Sequence, residues 1–170
     1  MLRHARAVLI IPHLVKGGFI FGAEGGDGVL VERRGGHWSE PAFYTMGSAS
    51  FGLQAGLEEA HIVLLIMSDR ALRGIEESKF KIGAGAGLTV VTLSAGAEGA
   101  TSGNLSGDIV VWTSATGAYG GLTLNGSVVD AKNDWNDQFY GRPASVSDIV
   151  NNRVHNPETR TLRADLSSAL

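Results

Sequence analysis

Cysteine is absent from the 170 residues. Disulfides, thiolate metal sites and cysteine nucleophiles are therefore excluded, and either redox compartment would suit the chain. Charge is sparse, with 18% Asp, Glu, Lys and Arg against about a quarter in ordinary soluble domains. Positive charge is not in excess, the formal net charge being −3. This excludes a global basic field of the kind that holds nucleic acid, so contact with an anionic surface has to use a local patch. Long apolar runs are missing too. The longest, around residues 61–67, is far shorter than the roughly 20 residues of a membrane-spanning helix. No charged-then-apolar leader opens the chain. Residues 1–6 run straight into an apolar stretch, which points to a missing upstream segment.

Glycine is what the chain has instead. The 24 glycines are about double the usual frequency of roughly 7%. Without a collagen period they indicate turns, close strand packing and bends. Residues 7–11 read as a buried strand stopped by Pro12. Residues 19–21 and 29–31 form a hairpin around a glycine-rich turn that includes Gly25-Gly26-Asp27-Gly28. Residues 33–37 read as a polar turn and residues 41–56 as a strand with bends. Residues 62–67 carry the strongest strand signal, central and covered on both faces. Ser68 is placed to cap a helix near 69–77. Strand-like stretches recur within 80–93 and at 109–112, separated by a loop-like segment at 95–107. Asn125-Gly126 is a hairpin turn signal. Trp135 and Phe139, four apart, share a helical face. Ser147-Asp148 suits a short helix cap, and Asn156-Pro157 a cap followed by a first helical position. Leu162, Leu166 and Leu170 predict a C-terminal helix. The sum is one α+β domain over residues 1–170, with a core at 7–143 and a helical tail at 144–170. Its sheet is antiparallel and strongly bent or barrel-like.

Constellations for catalysis are missing. The five histidines show no His-Glu-x-x-His spacing, and no serine sits in a Gly-x-Ser-x-Gly elbow. Gly83-Ala84-Gly85-Ala86-Gly87 lacks the Lys-Ser/Thr pair and helix of a phosphate loop, so it reads as strand glycine. Asp130, Asp134 and Asp137, with Asn133 and Asn136, are oxygen-rich but not at EF-hand spacing. They read as a turn or helix start, with no metal and no cofactor. The informative side chains are basic. Arg3, Arg6 and Lys16 lie near the N-terminus, Arg33 and Arg34 near Trp38, and Lys79 and Lys81 around Phe80. Converging cations contribute about 1 kcal/mol each near an anionic membrane, and Trp38, Phe43 and Tyr44 suit an interfacial belt or a core. These residues are the candidate lipid site, with Trp38 as its aromatic member.

Several ordered segments carry a resemblance. Val8-Leu9-Ile10-Ile11-Pro12, Val15-Lys16-Gly17-Gly18-Phe19 and Gly25-Gly26-Asp27-Gly28-Val29-Leu30 come first. Trp38-Ser39-Glu40-Pro41-Ala42-Phe43-Tyr44, Ser50-Phe51-Gly52-Leu53-Gln54-Ala55-Gly56 and Ser78-Lys79-Phe80-Lys81-Ile82-Gly83-Ala84 follow. Val63 to Leu72 and Asp108-Ile109-Val110 belong to the series as well, and Gly117-Ala118-Tyr119-Gly120-Gly121-Leu122-Thr123-Leu124-Asn125-Gly126 and Asn136 to Gly141 complete it. Together they resemble the SYLF domain family, over roughly residues 7–143. The resemblance implies a non-enzymatic lipid-binding module for anionic phospholipids or phosphoinositides. No nucleic-acid partner is expected, since the chain has no global basic field. Eukaryotic SYLF proteins bind phosphoinositides, and some bind actin filaments beside an SH3 domain. Bacterial ones are typically exported, so a periplasmic or envelope location is expected here, with a cytoplasmic one as the alternative. The other reading is a protein-interaction or self-associating scaffold domain, with a protein partner or a homo-oligomer. The family's helical segment before the first strand is almost wholly lacking, and Thr92-Leu93-Ser94-Ala95-Gly96 replaces a proline-containing turn.

Overall fold

The structure, a computed structural model, describes residues 2–16, 24–48, 59–77, 79–82, 90–94, 107–113 and 127–169. The strands are β1 (Ala7–Lys16), β2 (Glu24–Arg34), β3 (His37–Trp38), β4 (Ala42–Ser48), β5 (Glu59–Ile66), β6 (Phe80–Lys81), β7 (Val90–Ser94), β8 (Ile109–Thr113) and β9 (Val128–Ala131). The helices are α1 (Asp69–Glu76), α2 (Asn133–Tyr140), α3 (Val146–Val150) and α4 (Arg160–Ser168), with short 3-10 turns at Leu2–His4 and Pro157–Thr159. All strands join one sheet in the order β6-β9-β4-β2-β1-β5-β8-β7, with β3 folded back on β2. The class is α+β, and the sheet curls into a half-barrel. Pairing is antiparallel except between β7 and β8, which run parallel.

Alternation along the strands separates two faces. Leu9, Ile11, Leu30, Ile62, Leu64, Ile66, Val111 and Val129 point to the inner face and are buried. Ala71 and Ile75 of α1 close over them, as do Val146, Ile149 and Val150 of α3 with Ala144 and Val154. Residues 144–154 thus belong to the main core. Val8, Ile10, Val31, Val63 and Leu65 point the other way and form a second cluster with Trp38. Leu162 and Leu166 of α4 pack on that cluster, and Leu2 joins them.

Three local readings change. Pro12 does not end β1. The β1 ladders to β2 and β5 both break in register around it, and a missing N–H costs least where a ladder is already interrupted. Gly25-Gly26-Asp27-Gly28 is strand, not turn, paired to residues 44–47 of β4. A Cβ on Gly28 would lie 2.0 Å from the Ile10 carbonyl oxygen, so this glycine serves close strand approach. The turn between β2 and β3 falls at Gly35 and Gly36, with φ of +58° and +82°, which suits a tight hairpin. The cap of α3 is Ser145. Its hydroxyl accepts from the Asp148 N–H at 3.1 Å while the Asp148 carboxylate accepts from the Ser145 N–H at 3.3 Å.

Other elements form as read. Ser68 caps α1, accepting from the Ala71 N–H at 3.2 Å. Asn156 caps the turn that begins at Pro157 and leads into α4. The hairpin at Asn125-Gly126, the glycine run 83–87 and the loop at 95–106 lie outside the described residues.

Candidate functional site: the outer face of the sheet

Strand register lines up one row of apolar side chains across the outer face. Phe43 pairs with Val29, Val29 with Ile10, Ile10 with Val63, and Val63 with Trp112. Five strands at about 4.8 Å make a stripe roughly 20 Å long. The neighbouring row, Val31, Val8 and Leu65, lies in the cluster under α4. In the first row Phe43 packs against α2, Ile10 and Val63 are partly buried members of the cluster that α4 joins, and Val29 and Trp112 lie outside that cluster. At one end Trp112 is 39% exposed, and beyond Phe43 at the other end Trp135 of α2 is 40% exposed. Exposed tryptophans at both ends of one apolar row are the main departure from an ordinary solvated surface among the described residues.

The Trp135 end is concave. Ile10, Pro12, Asp27, Gly28, Val29, Phe43 and Trp135 line a pocket of about 210 Å³. Its aromatic wall is built edge to face. Phe43 meets Trp135 at 5.9 Å and Phe139 at 5.1 Å between ring centroids, and Phe139 meets Tyr140 at 5.0 Å. Asn136, buried on the same helix, fixes α2 to the sheet. Its side-chain carbonyl accepts from the Phe43 N–H at 2.6 Å, and its amide donates to the Phe43 carbonyl at 3.4 Å. Lys132 sits at the rim. Its Nζ lies 3.2 Å from the Trp135 ring centroid and 3.2 Å from Asp27 Oδ1.

A buried carboxylate holds α4 in place. Glu40 Oε1 accepts from His155 Nδ1 at 2.6 Å and from Arg163 Nη1 at 3.0 Å, and Oε2 accepts from the Thr159 hydroxyl at 2.7 Å. Arg163 also donates to the Trp38 carbonyl at 3.0 Å. Asn152, at φ +57°, accepts from the Glu40 N–H at 2.9 Å. A second buried acid, Glu32, sits beneath Arg34. Arg34 Nη2 reaches Glu32 Oε2 at 3.0 Å and Glu76 Oε1 at 3.7 Å. Burial, and after it the neighbouring Glu76 carboxyl, push Glu32 up to about 8, against the pull of Arg34.

Among the described side chains, the basic residues read from the sequence do not converge into one patch. Arg3 and Arg33 meet, with the Arg33 guanidinium donating to the Arg3 carbonyl. Arg6 pairs with Asp69 at 3.4 Å. Arg34 is held by Glu32, Glu76 and Asn151. Trp38 is only 2% exposed, so it belongs to the core reading and not to an interfacial belt. Tyr44 is buried as well, its hydroxyl donating to the Ile75 carbonyl at 2.9 Å. Lys79 and Lys81 are exposed around β6, at the other end of the sheet order from β8. Lys16 closes β1, and its side chain lies outside the described residues. The oxygen-rich run is used structurally. Asp130 accepts from the Lys79 N–H and Asp137 from the Ala144 N–H. Sequence reasoning missed the stripe itself. Its signal was every second residue of the continuous apolar runs 8–11, 29–31 and 62–66, which only register converts into a row.

A bent α+β sheet with an apolar outer face and two exposed tryptophans defines a binding domain by its surface. The chain belongs to the Ysc84 family, described as "Las17-binding protein actin regulator", whose model matches residues 47–169. This is the SYLF-type assignment that the ordered motifs point to. Protein YSC84 of Saccharomyces cerevisiae is 29% identical over 161 residues, covering 92% of this chain and 34% of the relative. LAS seventeen-binding protein 3 of the same yeast is 27% identical over 161 residues, 92% of this chain and 35% of the relative. SH3 domain-containing YSC84-like protein 1 of Xenopus laevis is 29% identical over 143 residues, 79% of this chain and 41% of the relative. The chain spans between a third and a half of the length of these curated relatives. The family is described by protein binding and actin regulation, which favours the protein-interaction reading over the lipid one.

Proposed function

We propose that this chain is a non-catalytic protein-interaction domain that docks an actin-regulatory partner of the Las17 kind on its outer face. The observation that carries this is the stripe Phe43–Val29–Ile10–Val63–Trp112, partly exposed beside α4 and flanked by exposed Trp112 and Trp135. Aromatic anchors beside an apolar row are the usual centre of a protein interface. The family description supports the class of partner. The test uses purified Las17 in a pull-down and actin filaments in co-sedimentation. Retention of either by the native chain, weakened at least tenfold in Trp112→Ala or Trp135→Ala, supports the reading. No retention of either protein sinks it.

A membrane surface is the second reading. The two exposed tryptophans suit an interfacial anchor, and Lys79 and Lys81 are exposed. Arg6 and Arg34, by contrast, are already paired with carboxylates. Flotation with anionic vesicles separates the readings: Trp-dependent flotation without protein retention favours the membrane. An envelope location goes with this second reading, and cell fractionation of the native gene product tests it.

A further inference from the structure

Asp27 is an odd residue for its place. It lies in the middle of β2, on the same outer face as Val29 and Val31, and strands disfavour Asp. Asp27 lines the apolar pocket with Phe43 and Trp135. Trp135 offers its ring face to a cation, as the position of Lys132 Nζ demonstrates, 3.2 Å from the ring centroid. The same ammonium lies 3.2 Å from Asp27 Oδ1. An aromatic face and a carboxylate that share one ammonium are the elements of alkylammonium recognition. Ile10, Pro12, Val29 and Phe43 continue this site as an apolar wall. The volume of about 210 Å³ equals about seven liquid-water volumes, room for a four-carbon stem.

We propose that Trp135 and Asp27 form an alkylammonium subsite, held in the free chain by its own Lys132 and taken over by a lysine-type side chain of a docking protein. The choice of a protein lysine rests on the protein-interaction reading above; the cation chemistry rests on the geometry alone. The incoming stem lies along Ile10, Val29 and Phe43 while its ammonium replaces that of Lys132. Lys132 is tethered through its backbone N–H to the Phe43 carbonyl at 2.9 Å, so only its side chain has to swing out. The free chain is therefore self-competed, and apparent affinity is lowered by the fraction of time Lys132 is in place.

The test is a titration read on the Trp135 indole N–H by heteronuclear NMR, with the Trp38 and Trp112 indoles as internal references. The probes are Nα-acetyl-lysine amide and its uncharged counterpart, Nα-acetyl-norleucine amide. We expect the lysine probe to shift Trp135 saturably and to bind Lys132→Gln at least fivefold more tightly than the native chain. The norleucine probe should bind Lys132→Gln at least fivefold more weakly than lysine does, and adding Asp27→Asn should erase that difference. Equal binding of the two probes, or no gain in Lys132→Gln, overturns the subsite. Phosphatidylcholine vesicles that perturb Trp135 where the lysine probe does not would assign it to a lipid headgroup and overturn the proposal as stated. The Las17 pull-down reads the protein-interaction reading separately: its failure with the lysine titration intact removes the choice of partner and leaves the cation site standing.

Discussion

Raising the pH from 5 to 8 should destabilise this domain, and Glu32→Gln should remove most of that effect. Glu32 is fully buried, and its Oε1 has no hydrogen-bond donor among the described residues. Its other oxygen and Glu76 share the Arg34 guanidinium. In the unfolded chain Glu32 ionises near 4.5, while in the fold burial holds its proton up to about 8. Between these values the folded state binds a proton that the unfolded state has released, so stability falls as pH rises. The contribution is intact below about 4.5 and lost above about 8. At about 1.4 kcal/mol per pH unit, the window from 4.5 to about 8 amounts to at most about 5 kcal/mol. That is large beside a typical domain stability of about 5–15 kcal/mol. Glutamine keeps the shape, accepts from Arg34 and gives the Glu76 carboxylate a permanent N–H donor. The assay is urea unfolding followed by tryptophan emission at pH 5, 6.5 and 8. With a urea slope of about 1–3 kcal/mol per molar, a loss of about 3 kcal/mol lowers the midpoint by about 1–3 M. A native midpoint that stays level or climbs with pH, or a variant with the native slope, refutes the reasoning.

Three further outcomes follow from packing and hydrogen bonding. Glu40→Ala strips Arg163, His155 and Thr159 of their shared acceptor. It should cost about 3–5 kcal/mol, with hydrogen exchange in Arg160–Ser168 accelerated beyond that of the core strands. Gly28→Ala places a methyl 2.0 Å from the Ile10 carbonyl oxygen, and the clash is with backbone. Thermal melting should show a loss at or above the usual 1–3 kcal/mol of overpacking, taken as an order of magnitude. Asn136→Ala leaves the Phe43 N–H without its side-chain acceptor. It should cost about 1–3 kcal/mol, and the Trp135 indole signal should move because α2 loses its anchor.

The sequence was most legible where one rule acted alone. Continuous branched residues at 62–67 marked the central strand β5, and Ser68 before Ala71 and Ile75 marked the start of α1. Leu162 and Leu166 marked α4 by their spacing of four. It was least legible where a long-range partner decided the outcome. Gly28 reads as turn until the Ile10 carbonyl lies against it, and Pro12 reads as a stop until both ladders of β1 break there. Trp38 and Phe43 looked alike as aromatic residues near basic ones. A two-residue strand pairing folds Trp38 under α4, while the register of β4 turns Phe43 outward. The candidate stripe was hidden for the same reason, since it consists of one side chain from each of five strands. The Trp135–Asp27–Lys132 arrangement joins residues that are 105 or more apart in sequence to Asp27, and local spacing carries no trace of it.

The Glu40 cluster also sets an order of events at synthesis. The carboxyl is placed early in the chain, but Arg163, which donates to it, lies 123 residues later. Until that arginine has left the ribosome, burying Glu40 in the segment after β3 leaves its carboxyl without the Arg163 donor. Final consolidation of this segment therefore waits for α4. A nascent chain stalled before residue 163 should remain open to protease at the segment following β3, even with most of its sheet already made.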